Sequence, residues 1–139
     1  MQKDNYGFSL VELIVVIAIM AAMIGIITPA YLVYIEKTRI QKDESAAGEI
    51  LRAAEIAVYT GEYDIVDQVL VSFDSSGIRI NTDLIDAETI EKVLSEHFGG
   101  QYQTVVPVSK KYKNATYTVT ILPPDEGSYI PKLTGAWSS

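Results

Sequence analysis

The chain contains no cysteine and one histidine, His97, among its 139 residues. A small domain without cysteine has no disulfide staple, so packing or assembly must hold it together. One histidine and no thiol also make a poor zinc-type donor set, and no metal or cofactor is expected. His97 itself reads as a half-exposed residue at the end of a short helix. Basic residues are outnumbered, with 11 Lys and Arg against 18 Asp and Glu and a net charge of −7. That balance argues against a nucleic-acid partner, whose phosphates call for a basic face. Phosphate loops, nucleophile elbows and spaced metal ligands are missing as well, so nothing marks an enzyme. Two charged stretches, Lys110-Lys111-Tyr112-Lys113 and Asp125-Glu126, read as solvated turns.

Near the N-terminus the missing feature is charge. Past Glu12 the sequence runs from Leu13 to Ile35 without a charged side chain. At about 1.5 Å per residue such a run crosses a hydrocarbon core of about 30 Å as one helix. Glu12 is therefore out of place, because a carboxylate costs about 2.5–3.5 kcal/mol at a bilayer centre and less near its surface. The helix dipole offsets part of that cost. A cation from another molecule would offset more. A cleaved secretory signal fits poorly: Lys3 and Asp4 cancel in the polar start, and the small-residue site Thr28-Pro29-Ala30 follows too long an apolar core.

The polar heptapeptide ending in Gly7, then Phe8, then Glu12 four positions on, resembles the class III leader of the type IV pilin family. Pro29 and the Ala30-Tyr31 pair belong to the same resemblance, which reaches from Met1 to Arg39. It implies that a prepilin peptidase cuts between Gly7 and Phe8 and methylates the new amine of Phe8. An α-amine with a pKa of about 7.7–8.0 is mostly cationic at neutral pH. The resemblance also implies that this amine meets Glu12 of a neighbour, or of its own chain, in a dry helical bundle, which sets the axial register. Gly25 and Pro29 form a helix break with two readings. One is a tolerated kink, with Thr28 bonding back to a carbonyl. The other, which the resemblance implies and Pro29 favours, is a point that melts when the subunit leaves the membrane.

Beyond Ile35 a helical period continues through Ile40, Ala47, Ile50, Leu51, Ala54, Ala57 and Val58. Lys42, Glu49, Arg52 and Glu55 fall mainly elsewhere. Ala46, Ala47, Ala53 and Ala54 allow a sheet to come close, and Gly61 suits the helix end. The period then shortens to two. Val69, Val71 and Phe73 lead into the turn Asp74-Ser75-Ser76-Gly77 and on to Ile78 and Ile80. Asp83 or Asp86 caps a short helix bearing Ile90, Val93, Leu94 and Phe98, closed by Gly99-Gly100. Tyr117, Val119 and Ile121 alternate with threonines as a strand ended by Pro123-Pro124. Tyr129 to Leu133 adds a short edge strand.

These elements predict an α+β chain of the type IV pilin fold. A leader spans residues 1–7, an apolar membrane or filament-core helix 8–35, and an amphipathic helix 36–60. A head at 61–139 holds a small antiparallel sheet and one short helix. The resemblance implies a precursor in the cytoplasmic membrane that becomes a structural subunit of an extracellular filament on the cell surface, used in adhesion, motility or aggregation. Its partners would be other copies of the chain, the prepilin peptidase and the pilus assembly platform. The alternative is a pseudopilin of a type II secretion or competence system; a membrane-tethered binding protein that never polymerises is a third reading. Many Gram-negative pilins tie a C-terminal loop with a disulfide, so the lack of cysteine points toward a Gram-positive source.

Overall fold

The computed structural model describes residues 7–60, 68–81, 87–126 and 131–138. The chain divides into two units, Met1–Lys37 and Thr38–Ser139. In the first, every described residue from Gly7 to Tyr34 is exposed, and from Leu10 onward they lie on helix α1, Leu10–Thr60. This helix is long and apolar enough to cross a membrane. It stays helical through Gly25 and Pro29. Proline there has no amide to give its preceding turn, and next to it the Thr28 hydroxyl donates to the Ile24 carbonyl at 2.6 Å.

In the second unit the remaining length of α1 buries Ala47, Ile50, Ala53, Ala54 and Ala57. Alanine dominates because a small side chain allows close packing while favouring the helix. Four strands follow: β1 Val69–Asp74, β2 Gly77–Asn81, β3 Thr116–Leu122 and β4 Lys132–Ser138. They form one antiparallel sheet in the order β2-β1-β3-β4. Val69, Val71, Phe73, Ile78, Tyr117, Val119 and Ile121 join the helix alanines in one core, which Ile90 and Leu94 of helix α2, Ala87–Phe98, complete. Burial alternates along β1 and β3, so one face of the sheet is apolar and the other carries mostly polar side chains.

Two glycines set the turns. Gly99 takes φ +74° past the end of α2, and the Gly100 amide donates to Ser95 O at 2.7 Å, a Schellman closure. Gly77 takes φ +106° after the turn, where a Cβ would come within 1.8 Å of the Gln103 carbonyl oxygen. Gln103 belongs to a single 3-10 turn, Tyr102–Thr104, that lies against β2.

The strand expected from Tyr129 to Leu133 is displaced. Strand β4 begins at Lys132, after Pro131, and continues to Ser138, pairing with all of β3. Leu133 and Trp137 both pack against the core and hold that longer strand in place. Gly61, Asp83, Asp86, Tyr129 and the leader before Gly7 lie outside the described residues.

Candidate functional site

The helix that carries the membrane-length run begins with a reciprocal pair of hydrogen bonds. Ser9 stands before the first helical residue. Its hydroxyl accepts from the Val11 amide at 3.3 Å, while the Glu12 carboxylate accepts from the Ser9 amide at 2.8 Å. Serine followed three positions later by glutamate is a capping box, which satisfies two amide donors that a helix start otherwise leaves unpaired. Glu12 thus has a partner within its own chain, and one oxygen, Oε2, is committed to it. This second role is visible in the sequence as Ser9-Leu10-Val11-Glu12 and is missed when Glu12 is read only as a buried charge awaiting a cation.

Phe8 is 89 % exposed, and Gly7 has open space around its Cα. The Gly7–Phe8 peptide is therefore unobstructed by the described residues. Gly7, Phe8, Ser9 and Glu12 lie close together in sequence, and the capping bonds hold the last two in a fixed relation. Gly25 and Pro29 lie further along α1 and make no part of this group.

The head has its own polar centre. Asp43 is 2 % exposed, although it is an acid. Its two oxygens accept the amides of Val108 and Ser109, each at 2.8 Å. The next residue, Glu44, accepts the Tyr112 hydroxyl at 2.8 Å, and Lys111 Nζ donates to that hydroxyl at 2.6 Å. The Lys111 ammonium is held above its usual pKa, first by the Tyr112 hydroxyl and then by Glu44. Tyr112 stacks on Trp137 with ring centroids 4.0 Å apart and 17° between planes. The segment read as a solvated lysine loop is thereby tied to α1 on one side and to β4 on the other. Such an arrangement positions a loop; it brings no paired acid and base, nucleophile or metal-ligand set together. Among the described residues no group of three or more His, Cys, Asp or Glu side chains is placed to hold a metal ion.

His97 is half-exposed, as its place in α2 suggests, and its Nε2 lies 2.7 Å from the Glu49 carboxylate. Asp125 pairs with Lys132 across the approach to β4. Asp74 sits in the β1–β2 turn, where the Ser76 amide holds its carboxyl below the usual range; Arg79 adds to that effect and burial opposes it.

No curated protein and no solved structure matches the chain. A family model does, at residues 2–28, described as the prokaryotic N-terminal methylation motif. Its match covers Gly7, Phe8, Glu12 and Gly25 and ends just before Pro29. With the long helix and the four-stranded antiparallel sheet of the type IV pilin α+β fold behind it, the chain carries the class III leader of type IV pilins and pseudopilins.

Proposed function

We propose that the chain is the structural subunit of a type IV pilus. The motif itself marks a pilin-like or pseudopilin-like precursor with an apolar membrane helix, and implies processing by a prepilin peptidase and polymerisation with other pilins. In the proposed sequence of events, the peptidase cuts between Gly7 and Phe8 and methylates Phe8. The filament then takes up the apolar helices that the bilayer had solvated. One observation carries this reading: Glu12 stands at the head of a helix that bears no further charge as far as Ile35.

Cutting leaves the Phe8–Ser9 peptide intact, so the Ser9 amide survives and the capping box with it. The cut adds an ammonium group one residue before that amide. Glu12 Oε2 keeps its bond to Ser9, and the carboxylate's other oxygen is available to the amine of its own or a neighbouring subunit. In a dry bundle an ammonium and a carboxylate each cost several kcal/mol unpaired, of the order that decides whether a register is accepted. Gly25 and Pro29 supply the point at which α1 melts on extraction from the membrane, because the proline leaves one helical bond unmade.

Intact-mass measurement of the mature chain tests the first step. A mass beginning at Phe8 with one added methyl group is expected; an uncut chain, or one starting near Ala30, overturns the reading. Acetylating the amine of the processed subunit should stop polymer growth. Deleting the chain should remove surface filaments, whereas loss of protein secretion or transformation with filaments intact would identify a pseudopilin.

A further inference from the structure

The sheet has two margins, and among the described residues only one is covered. Along β2 the 3-10 turn Tyr102–Thr104 lies so close that Gly77 has no room for a Cβ. At the other margin β4 pairs with β3 along its whole length, and no described strand follows it. Natural sheets guard an open edge with charge, proline or a bulge. From Leu133 to Ser138 this edge has none: the stretch is uncharged, contains no proline, and keeps unbroken register with β3. Lys132, at its start, is already paired with Asp125.

The geometry points to a second copy of this chain as the occupant of that edge, its β4 laid antiparallel to this one about Gly135. The sequence is complementary to itself in that register. Leu133 faces the partner's Trp137 on the core side, Thr134 faces the partner's Ala136 on the other, and glycine meets glycine in the middle. Charge selects the same direction. A chain of net charge −7 repels its copies except where it is neutral, and β4 offers a neutral strand. A parallel alignment would set Lys132 against its own image, while the antiparallel one sets it against Ser138. Both strands already use their other edge, so the new contact adds a ladder and removes none. The result is an isologous two-fold dimer of subunits. It closes on itself, so it is separate from a polar filament and stands whether or not the chain polymerises.

The exposed positions Thr134 and Ala136 give a charge test that leaves the core untouched. Full-length, uncut chain in detergent micelles is followed by analytical ultracentrifugation over a concentration series. The unmodified chain is expected to dimerise. The double variant Thr134→Lys/Ala136→Lys sets like charges opposite each other twice and should weaken the dimer about tenfold. Thr134→Glu/Ala136→Lys sets opposite charges across the same pairs and should recover it. A monomer at every concentration overturns the proposal. So does a dimer indifferent to the two lysines, which would place association in the apolar helix. A Glu/Lys variant no tighter than the double-lysine chain overturns it as well.

Discussion

The buried carboxylate of Asp43 on α1 accepts the amide of Ser109 at 2.8 Å, joining two residues far apart in sequence. The second oxygen takes the Val108 amide, so one side chain satisfies two backbone donors that the loop cannot pair by itself. Hydrogen bonds to a charged group contribute more than neutral ones, and a buried donor left unpaired costs more still. Asp43→Ala is expected to destabilise the head by about 3 kcal/mol, since both amides lose their acceptor. Asp43→Asn keeps one acceptor oxygen and should fall between. Urea unfolding followed by the fluorescence of Trp137, the sole tryptophan, measures both.

Trp137 serves as the staple that a cysteine-free head lacks. Its ring stacks on Tyr112 and lies 5.8 Å from Phe73 and 5.2 Å from Tyr117, centroid to centroid. Removing it frees the C-terminal strand and empties the space beside three aromatic rings. Trp137→Ala should cost about 3 kcal/mol and Trp137→Phe markedly less. Near-ultraviolet circular dichroism of the remaining tyrosines during urea titration reports the loss. Equal stability of the alanine variant would show that β4 is held by its ladder alone.

The contrast between Ile50 and Asp43 shows what the sequence discloses and what it hides. Ile50 lies on an apolar stripe whose period can be counted, and it is fully buried. Asp43 lies on the same stripe, between Ile40 and Ala47 at spacings of three and four. Its polarity excludes it from any count of apolar residues. A charged residue in phase with a buried face is the available signal. Its partners Val108 and Ser109 give none, because contacts across a loop leave no local period. Strands β1 and β3 are legible for the same reason as Ile50: tight alternation against an apolar face. Strand β4 is harder to place, and the pattern sets it too early. Leu133-Thr134-Gly135-Ala136-Trp137 has a glycine where alternation expects an apolar residue, and the Tyr117 hydroxyl fills that space. At the N-terminus the residues of the leader can be read directly, since their spacing is local. The capping bonds of Ser9 and Glu12 follow the same local logic.

Gly77 is the position where backbone and packing agree most closely. Its φ of +106° disfavours any L side chain, and a Cβ would strike the Gln103 carbonyl. Gly77→Ala should therefore lower stability by about 2 kcal/mol or more and displace the 3-10 turn from β2. Faster amide exchange at the turn, alongside an unchanged β3–β4 ladder, is the expected hydrogen-exchange pattern.

Asp74 predicts a pH dependence of defined sign. Its folded pKa is lowered, so it contributes stability above its unfolded value, near 3.9, and that contribution disappears as pH falls through the folded value. Asp74→Asn keeps an oxygen for the Ser76 amide but loses the charge facing Arg79, a partly exposed pair worth about 0.5 kcal/mol. The variant should be less stable than the parent at pH 7, and the gap should close as pH falls through the lowered folded pKa of Asp74. A gap that persists once the Asp74 carboxyl is protonated would assign the effect to turn geometry and not to charge.

Glu12 caps α1, and the proposed function gives it a second duty that a pair of substitutions can separate from the first. As the acceptor of the Ser9 amide it finishes a helix start, and a neutral amide oxygen does that nearly as well. Under the proposed function it would also be the counter-ion of a methylated Phe8 amine, and for that it would need its charge. Glu12→Gln should therefore leave the start of α1 intact in micelles, with the Ser9 amide still protected from exchange. Filament assembly should fall at least tenfold, because the amine would be buried without a carboxylate. Glu12→Ala should lose both the protection and the assembly. Ser9→Ala is the complement: it weakens the cap by about 1 kcal/mol while keeping the charge, so assembly should drop only slightly. If Glu12→Gln subunits polymerise as well as the parent, the carboxylate acts as a cap alone, and the amine must find its counter-charge elsewhere.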